Sequence, residues 1–167
     1  MKPDKICAFT GHRPEQLPWG NNEWDGRCVD LKQRLDAAVE RAYESGCRHF
    51  VCGMARGSDF YFCEAVIALR ERHPDVTLEA ALPCADHTAK WNDQDLVRYQ
   101  ELLSQCDVET LVQKEFDSTC MYRRNVYLVE HAARLIAVFN GDPQGGGTLQ
   151  TVSYALNKGL ETDILQI

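Results

Sequence analysis

The chain has 167 residues, 44% of them hydrophobic and 26% charged, with a formal net charge of −7. This length suits one domain over residues 1–167, and the composition excludes disordered, collagenous and coiled-coil classes. The acidic balance disfavours non-specific DNA binding, which needs Lys and Arg to displace counterions, and apolar runs such as Leu135–Phe139 fall far short of the roughly 20 residues that span a bilayer. Residues 1–5 lead straight into a strand-like segment with no secretory h-region, so a cytoplasmic location is expected. Ile6–Thr10 reads as a buried first strand, followed by a polar loop from Gly11 to about Gly26. Leu31, Leu35, Ala38, Val39 and Ala42 recur at helical spacing and predict an amphipathic helix that stops at Ser45-Gly46. His49–Cys52 is a second strand. Ser58 is a candidate cap for a helix carrying Phe62, Ala65, Val66 and Leu69, which ends near Pro74. Val76–Leu82 is a third strand. Leu96, Tyr99, Leu102 and Leu103 mark a further helix, and Val108–Val112 a fourth strand that Glu109 interrupts. Tyr122, Val126, Val129 and Ala133 suggest another helix, and Leu135–Phe139 is the clearest strand in the chain. Thr148–Asn157 reads as the last helix, and Asp163–Leu165 as a short final strand.

Strands alternating with helices predict an α/β, Rossmann-like fold: a doubly wound, mostly parallel sheet with helices on both faces. Loops leaving the carboxyl ends of parallel strands share one edge, and ligands bind there at the switch in strand order. The eight cysteines contain no C-x-x-C pair, so reduced thiols without metal or cofactor are expected. Cys7 and Cys52 sit in strand candidates, where a thiol acts as a small core residue.

Unusual chemistry falls in the loops. After the first strand come Gly11, His12 and Arg13: a tight turn, a group that titrates near neutrality, and a fork of donors suited to phosphate or carboxylate. After the second strand, Gly53-Met54-Ala55-Arg56-Gly57-Ser58-Asp59 opens a helix, where glycines and a helix N-terminus favour an anion. Asp59 repels phosphate and suits a ribose hydroxyl or a helix cap. After the fifth strand, Asn140 to Thr148 contains Gly145, Gly146 and Gly147, a triplet that close backbone approach to a ligand would explain. Arg124 and Asn125 lie on a helix that can point back at the same cleft, beside Asp117, Ser118 and Arg123. Trp91 and Tyr99 suit the core or a partner-facing position better than a stacking platform.

These motifs together resemble the YpsA-like family of the SLOG superfamily, named for its SMF/DprA and lonely-guy members. The resemblance rests on Phe9-Thr10-Gly11-His12-Arg13-Pro14, on Lys90-Trp91, Tyr99 and Arg124-Asn125, and on Gly145-Gly146-Gly147-Thr148. Gly53–Asp59 resembles the G-x-A-R-G-x-D motif of DNA-processing protein A. The resemblance runs from about Lys5 to the C-terminus. It implies a bacterial-type, Rossmann-like domain that binds a nucleotide or an ADP-ribose-like ligand, as a sensor or regulatory domain. Amides of Gly53–Ser58 and Gly145–Thr148 would hold phosphate, Arg13 and Arg56 would neutralise charge, and Asp59, Asn125 or Asn140 would contact ribose or base. The lonely-guy signature P-G-G-x-G-T-x-x-E, laid on Pro143–Thr151, keeps the glycine-threonine cradle. Its final Glu is replaced by Thr151, which cannot stabilise oxocarbenium charge or carry a proton near neutrality. A nucleoside 5′-monophosphate N-glycosidase is therefore the alternative, with Asp59, Asp142 or His12 as substitute acid or base. Single-stranded DNA binding is a second alternative, which the net charge disfavours. A homodimer is an expectation of the fold alone.

Overall fold

A computed structural model describes residues 2–167. Six strands form one sheet in which every pairing is parallel: β1 (Ile6–Gly11), β2 (His49–Cys52), β3 (Thr77–Leu82), β4 (Val108–Leu111), β5 (Arg134–Phe139) and β6 (Glu161–Gln166). Five α-helices alternate with them: α1 (Gly26–Glu44), α2 (Ser58–Arg72), α3 (Asp93–Ser104), α4 (Cys120–Glu130) and α5 (Gly147–Asn157). The sheet order is β4-β3-β2-β1-β5-β6. The chain thus builds outward from β1 to β4, then crosses back to lay β5 on the other side of β1. That reversal opens a crevice between the carboxyl ends of β1 and β5, where Gly11 is in register with Val138.

Alternation along the strands divides the core between two layers. Phe9, Phe50, Leu78 and Ile136 point to the face covered by α1, α2 and α3. Ala8, Val51, Ala81 and Ala137 point to the face under α4 and α5. Small alanines on the second face let α4 lie close to the sheet. On the first face Phe9 stacks on Phe62 of α2, ring centroids 4.6 Å apart. Helix α2 is apolar nearly all round, with Phe60, Phe62, Ala65 and Leu69 buried, as a central covering helix must be.

Several expected boundaries shift. Gly57, not Ser58, is the residue capping α2, and the Ser58 hydroxyl instead donates to the His12 carbonyl at 2.7 Å. Helix α4 stops at Glu130, so Ala133 lies beyond it and donates its N–H to Ile6 O, entering the ladder toward β5. The final strand is six residues long and pairs along all of β5. β4 is short and exposed on the sheet edge. The polar stretch after β1 is not all loop surface: Leu17 and Trp19 are buried, with the Trp19 indole N–H donating to the Tyr61 hydroxyl.

A second buried element is polar. His49 Nε2 lies 2.6 Å from Glu79 Oε1, and Glu79 Oε2 accepts from Tyr127 of α4 and Thr110 of β4. These bonds hold the Glu79 carboxyl below its usual range against the opposing effect of burial. The network ties α4 to three strands. All eight cysteines are free thiols. Among the described residues no helix is long and apolar enough to cross a membrane, and no cluster of three or more His, Cys, Asp or Glu is arranged to hold a metal ion.

Truncating Phe62 removes both the stack on Phe9 and a fully buried ring. Phe62→Ala is expected to cost about 3–5 kcal/mol and to lower the melting temperature by roughly 10 °C. Urea unfolding and thermal denaturation followed by circular dichroism check this. A shift of only a degree or two would show that this layer does not carry the core.

Candidate functional site

Three of the loops flagged from sequence meet at the carboxyl edge of the sheet. A cleft of about 360 Å³ is lined by Thr10, Gly11, Arg13, Gln16, Asp59, Arg124, Asn125, Gly147 and Thr148, among others. A smaller lobe of about 190 Å³ adjoins it, lined by Gly53, Arg56, His87, Trp91, Phe116 and Cys120. Arg13, Ala55, Met121 and Arg124 border both, so the two form one continuous depression.

The floor is set by Arg124. Its guanidinium is buried against the sheet, with Nη1 donating to Gly53 O and, at 3.4 Å, to Ala81 O. Nε donates to Asn125 Oδ1 at 3.0 Å. A Cβ at Gly53 would lie 2.5 Å from Arg124 Nη1, so the glycine is where the guanidinium sits. Burial works against the positive charge, and the Asp59 carboxylate supports it. Asp59 accepts from the Ala55 N–H at 2.9 Å and is itself buried. Burial dominates its titration and raises it to about 6, despite Arg124 and the Ala55 amide pulling the other way. A carboxyl that exchanges its proton near neutrality therefore faces the cleft.

The loop carrying Asp59 is strained. Met54 adopts φ +58°, a left-handed conformation rare for a non-glycine residue, and Gly57 follows at φ +85°. At Gly57 a Cβ would also meet Pro14 Cδ at 2.9 Å, since the β1 and β2 loops are in contact here.

The glycine loop after β5 delivers the third wall. Helix α5 starts at Gly147 with no side-chain cap and no acidic residue in its first turn. Its first N–H groups lack intrahelical partners and carry the positive end of the helix dipole. Gly147 and Thr148 line the cleft. Thr151 donates its hydroxyl to Gly147 O at 2.8 Å, inside the helix.

His12 organises this wall from behind. It is 1% exposed, and its Nε2 accepts the Asn140 N–H at 3.1 Å. That bond makes Nε2 the acceptor and assigns the proton to Nδ1, which is buried with no partner. Burial holds the imidazole below its ordinary pKa, so it stays a neutral acceptor for the loop.

The flagged residues thus separate. Gly11, Arg13, Asp59, Arg124, Asn125, Gly147 and Thr148 line the main cleft, and Gly53 and Arg56 the adjoining lobe. His12, Gly57 and Ser58 support the loops. Arg56 is already paired, with Glu15 at 2.6 Å and Asp95 at 3.8 Å. Arg13 is exposed and makes no ion pair among the described residues. Asn140 uses its side chain to accept the Asp142 N–H at 2.9 Å, and Gly145 and Gly146 stand back from the cleft lining. Sequence reading overlooked His87, Phe116 and Gln16. The loop after β3 holds His87, and since β3 is parallel its carboxyl end had to join the same edge. Trp91 lines the smaller lobe, held edge-on by Phe60, His87 and Tyr99. A larger groove of about 740 Å³ between α2 and α3 is bordered by Glu23, Glu64, Glu71 and Glu101, with Arg98 locked to the first two. Its carboxylates repel an anion.

Comparison with known proteins agrees with this architecture. The family model YpsA, described as the YspA SLOG family, matches residues 7–164. A UPF0398 protein of Bacillus pumilus (strain SAFR-032) is 26% identical over 147 residues, covering 86% of this chain and 77% of that one. A UPF0398 protein of Bacillus thuringiensis (strain Al Hakam) is 25% identical over 146 residues, covering 84% and 77%. Among solved structures, DNA processing protein A from Helicobacter pylori, reported for its single-stranded DNA binding mode, superposes with TM-score 0.63 at 14% identity. That match covers 99% of this chain and 66% of the other, and at this identity the likeness is one of fold.

Asp59 makes a signed prediction. Its folded pKa of about 6 lies above the ordinary 3.8, so between those values the folded state holds a proton that the unfolded state has lost. Stability contributed by this group therefore falls as pH rises from about 4 to about 6. Asp59→Asn is expected to be more stable than wild type at pH 7.5, by on the order of 1–3 kcal/mol. The gap should close below about pH 4. Urea titrations at several pH values check it; equal stability at pH 7.5 would show that Asp59 is not strained by burial.

Proposed function

This chain belongs to the YspA SLOG family, and from that premise we propose that it binds a nucleotide or an ADP-ribose-like nucleotide derivative, as a sensor or regulatory domain. The observation that carries the proposal is the uncapped, acid-free start of α5 sharing one cleft with Arg13, Arg124 and Asp59. Phosphate oxygens sit over the Gly147 and Thr148 amides. Arg13, free of a protein carboxylate, neutralises their charge. Arg56 is committed to Glu15 and Asp95 and contributes less than its sequence position suggests. Asp59, kept away from phosphate by its own charge, accepts from ribose hydroxyls. The lobe bordered by His87, Trp91 and Phe116 takes a flat heterocycle.

A second reading rests on Asp59. Thr151 is turned inward to Gly147 O, and among the described residues the one carboxyl in the cleft lining is Asp59, raised by burial to about 6, a value suited to proton transfer. An N-glycosidase acting on nucleoside 5′-monophosphates would release free base in wild type and not in Asp59→Asn. Single-stranded DNA binding is the remaining alternative, and a salt-dependent gel shift tests it against the −7 charge.

Gly147 supplies the test of the leading proposal. It lines the cleft, and a Cβ there meets only Asn125 Nδ2, at 3.4 Å, so Gly147→Ala is expected to leave the melting temperature unchanged or slightly raised. If the glycines are present for close approach of a ligand, the same change weakens binding tenfold or more, about 1.4 kcal/mol. Calorimetric titration of wild type and variant with AMP, ADP, NAD and ADP-ribose reads this. Absence of binding by every one of these, with no NMR shifts at Gly147 or Thr148, would overturn the proposal.

A further inference from the structure

Two thiols meet beside the cleft. Cys84, in the loop leaving β3, and Cys120, the first residue of α4, place their sulfurs 3.9 Å apart. The loops are far apart in sequence, and both residues are almost fully buried. Cys120 also borders the lobe that holds His87, Trp91 and Phe116, so one residue of the pair lies at the cleft. The other cysteine contacts differ. Cys52 and Cys63 lie in the core beneath α2, Cys63 donating to Met54 Sδ at 3.2 Å, and Cys7 and Cys47 pack at the opposite end of β1. Neither pair borders the cleft.

We propose that Cys84 and Cys120 form a reversible dithiol–disulfide site, oxidised by a small peroxide that enters through the cleft. Cys120 is the member of the pair that borders the lobe, so it meets the peroxide first. Its sulfur attacks one peroxide oxygen, the O–O bond breaks, and the released hydroxide takes a proton and leaves as water. Cys120 is then a sulfenic acid. The Cys84 sulfur attacks Cys120 Sγ, the S–O bond breaks, and the departing hydroxide combines with the Cys84 proton as a second water. The sum is two thiols and one hydrogen peroxide giving one disulfide and two waters, with sulfur oxidised and peroxide reduced. Cys84 is suited to the second role: burial, and its hydrogen bonds with Cys120 and Asp86, push its thiol up to about 11, so it is not the first to react.

The bridge has a structural consequence. A disulfide requires about 2.05 Å between sulfurs, so closure from 3.9 Å draws the start of α4 toward the β3 loop. Arg124 and Asn125 lie about one turn further along the same helix. Oxidation therefore changes the cleft floor, and only this coupling to affinity rests on the proposed nucleotide reading.

The reduced full-length chain treated with hydrogen peroxide tests the site. Intact mass is expected to fall by two hydrogen atoms, peptide mapping to join Cys84 with Cys120, and dithiothreitol to reverse both. Cys84→Ser and Cys120→Ser should each abolish this cross-link, and thermal melting confirms that each variant is folded. A map joining Cys7 to Cys47 or Cys52 to Cys63 while Cys84 and Cys120 remain alkylatable would overturn the assignment, as would mass loss that survives either substitution. For the coupling, oxidation should shift ADP-ribose affinity at least threefold in wild type and not in Cys84→Ser. Unchanged affinity with the bridge formed would overturn the coupling, whereas failure of the reduced chain to bind at all would count against the nucleotide reading alone.

Discussion

Arg124 is a charged side chain held almost entirely out of water, and the arrangement of the cleft follows from how it is kept there. Its guanidinium bonds to carbonyls that end β2 and β3, so α4 is fastened across the sheet at the edge where the loops emerge. Taking a charge out of solvent is tolerated only when donors are satisfied and an opposite charge is near. Gly53 leaves the space, two main-chain oxygens accept from Nη1, Asn125 accepts from Nε, and Asp59 supplies the counter-charge. Burial raises Asp59 to about 6 although Arg124 and the Ala55 amide both favour its charged form. The cleft thus contains a buried cation and a carboxyl poised between charge states.

Around that pair, the loops are held by bonds that serve one another. Ser58 donates to the His12 carbonyl, so the loops after β1 and β2 are joined directly. His12 then uses its ring to accept from Asn140, bringing in the loop after β5. Two left-handed residues, Met54 and Gly57, let the β2 loop turn back on itself so that Asp59 faces the Ala55 amide. Backbone strain is concentrated there, beside an uncapped helix start and a carboxyl with a displaced pKa. The Glu79 network beneath α4 gives the helix a second anchor, through Tyr127.

Much of the fold is legible along the chain because central parallel strands are covered on both faces and so read as unbroken apolar runs. Ile6–Phe9, Phe50–Cys52 and Leu135–Phe139 are of this kind. The edges are harder to see. β6 carries Glu161, Thr162 and Asp163, and β4 carries Glu109, because an edge strand is partly solvated and its polarity hides its length. Trp19 is buried from a loop with no periodicity to announce it. In the site, glycines and arginines identify the loops. Nothing local distinguishes Arg13, which is exposed, from Arg56, which is paired, or Arg124, which is buried. His87 escaped notice because its loop contains neither a glycine triplet nor a helix-capping pattern.

What the chain determines by itself is the alternation of elements, hence a parallel sheet, hence one edge at which all the chemistry-bearing loops emerge. That inference needs only hydrophobic period and the geometry of crossover connections, both local or nearly so. Tertiary structure alone decides which side chains share the cleft and in what protonation state. Arg124 and Gly53 are 71 residues apart, and Asn140 and His12 are 128 apart. Their contacts depend on strand order, with β5 laid beside β1, and their charges depend on burial, which no short window of sequence contains.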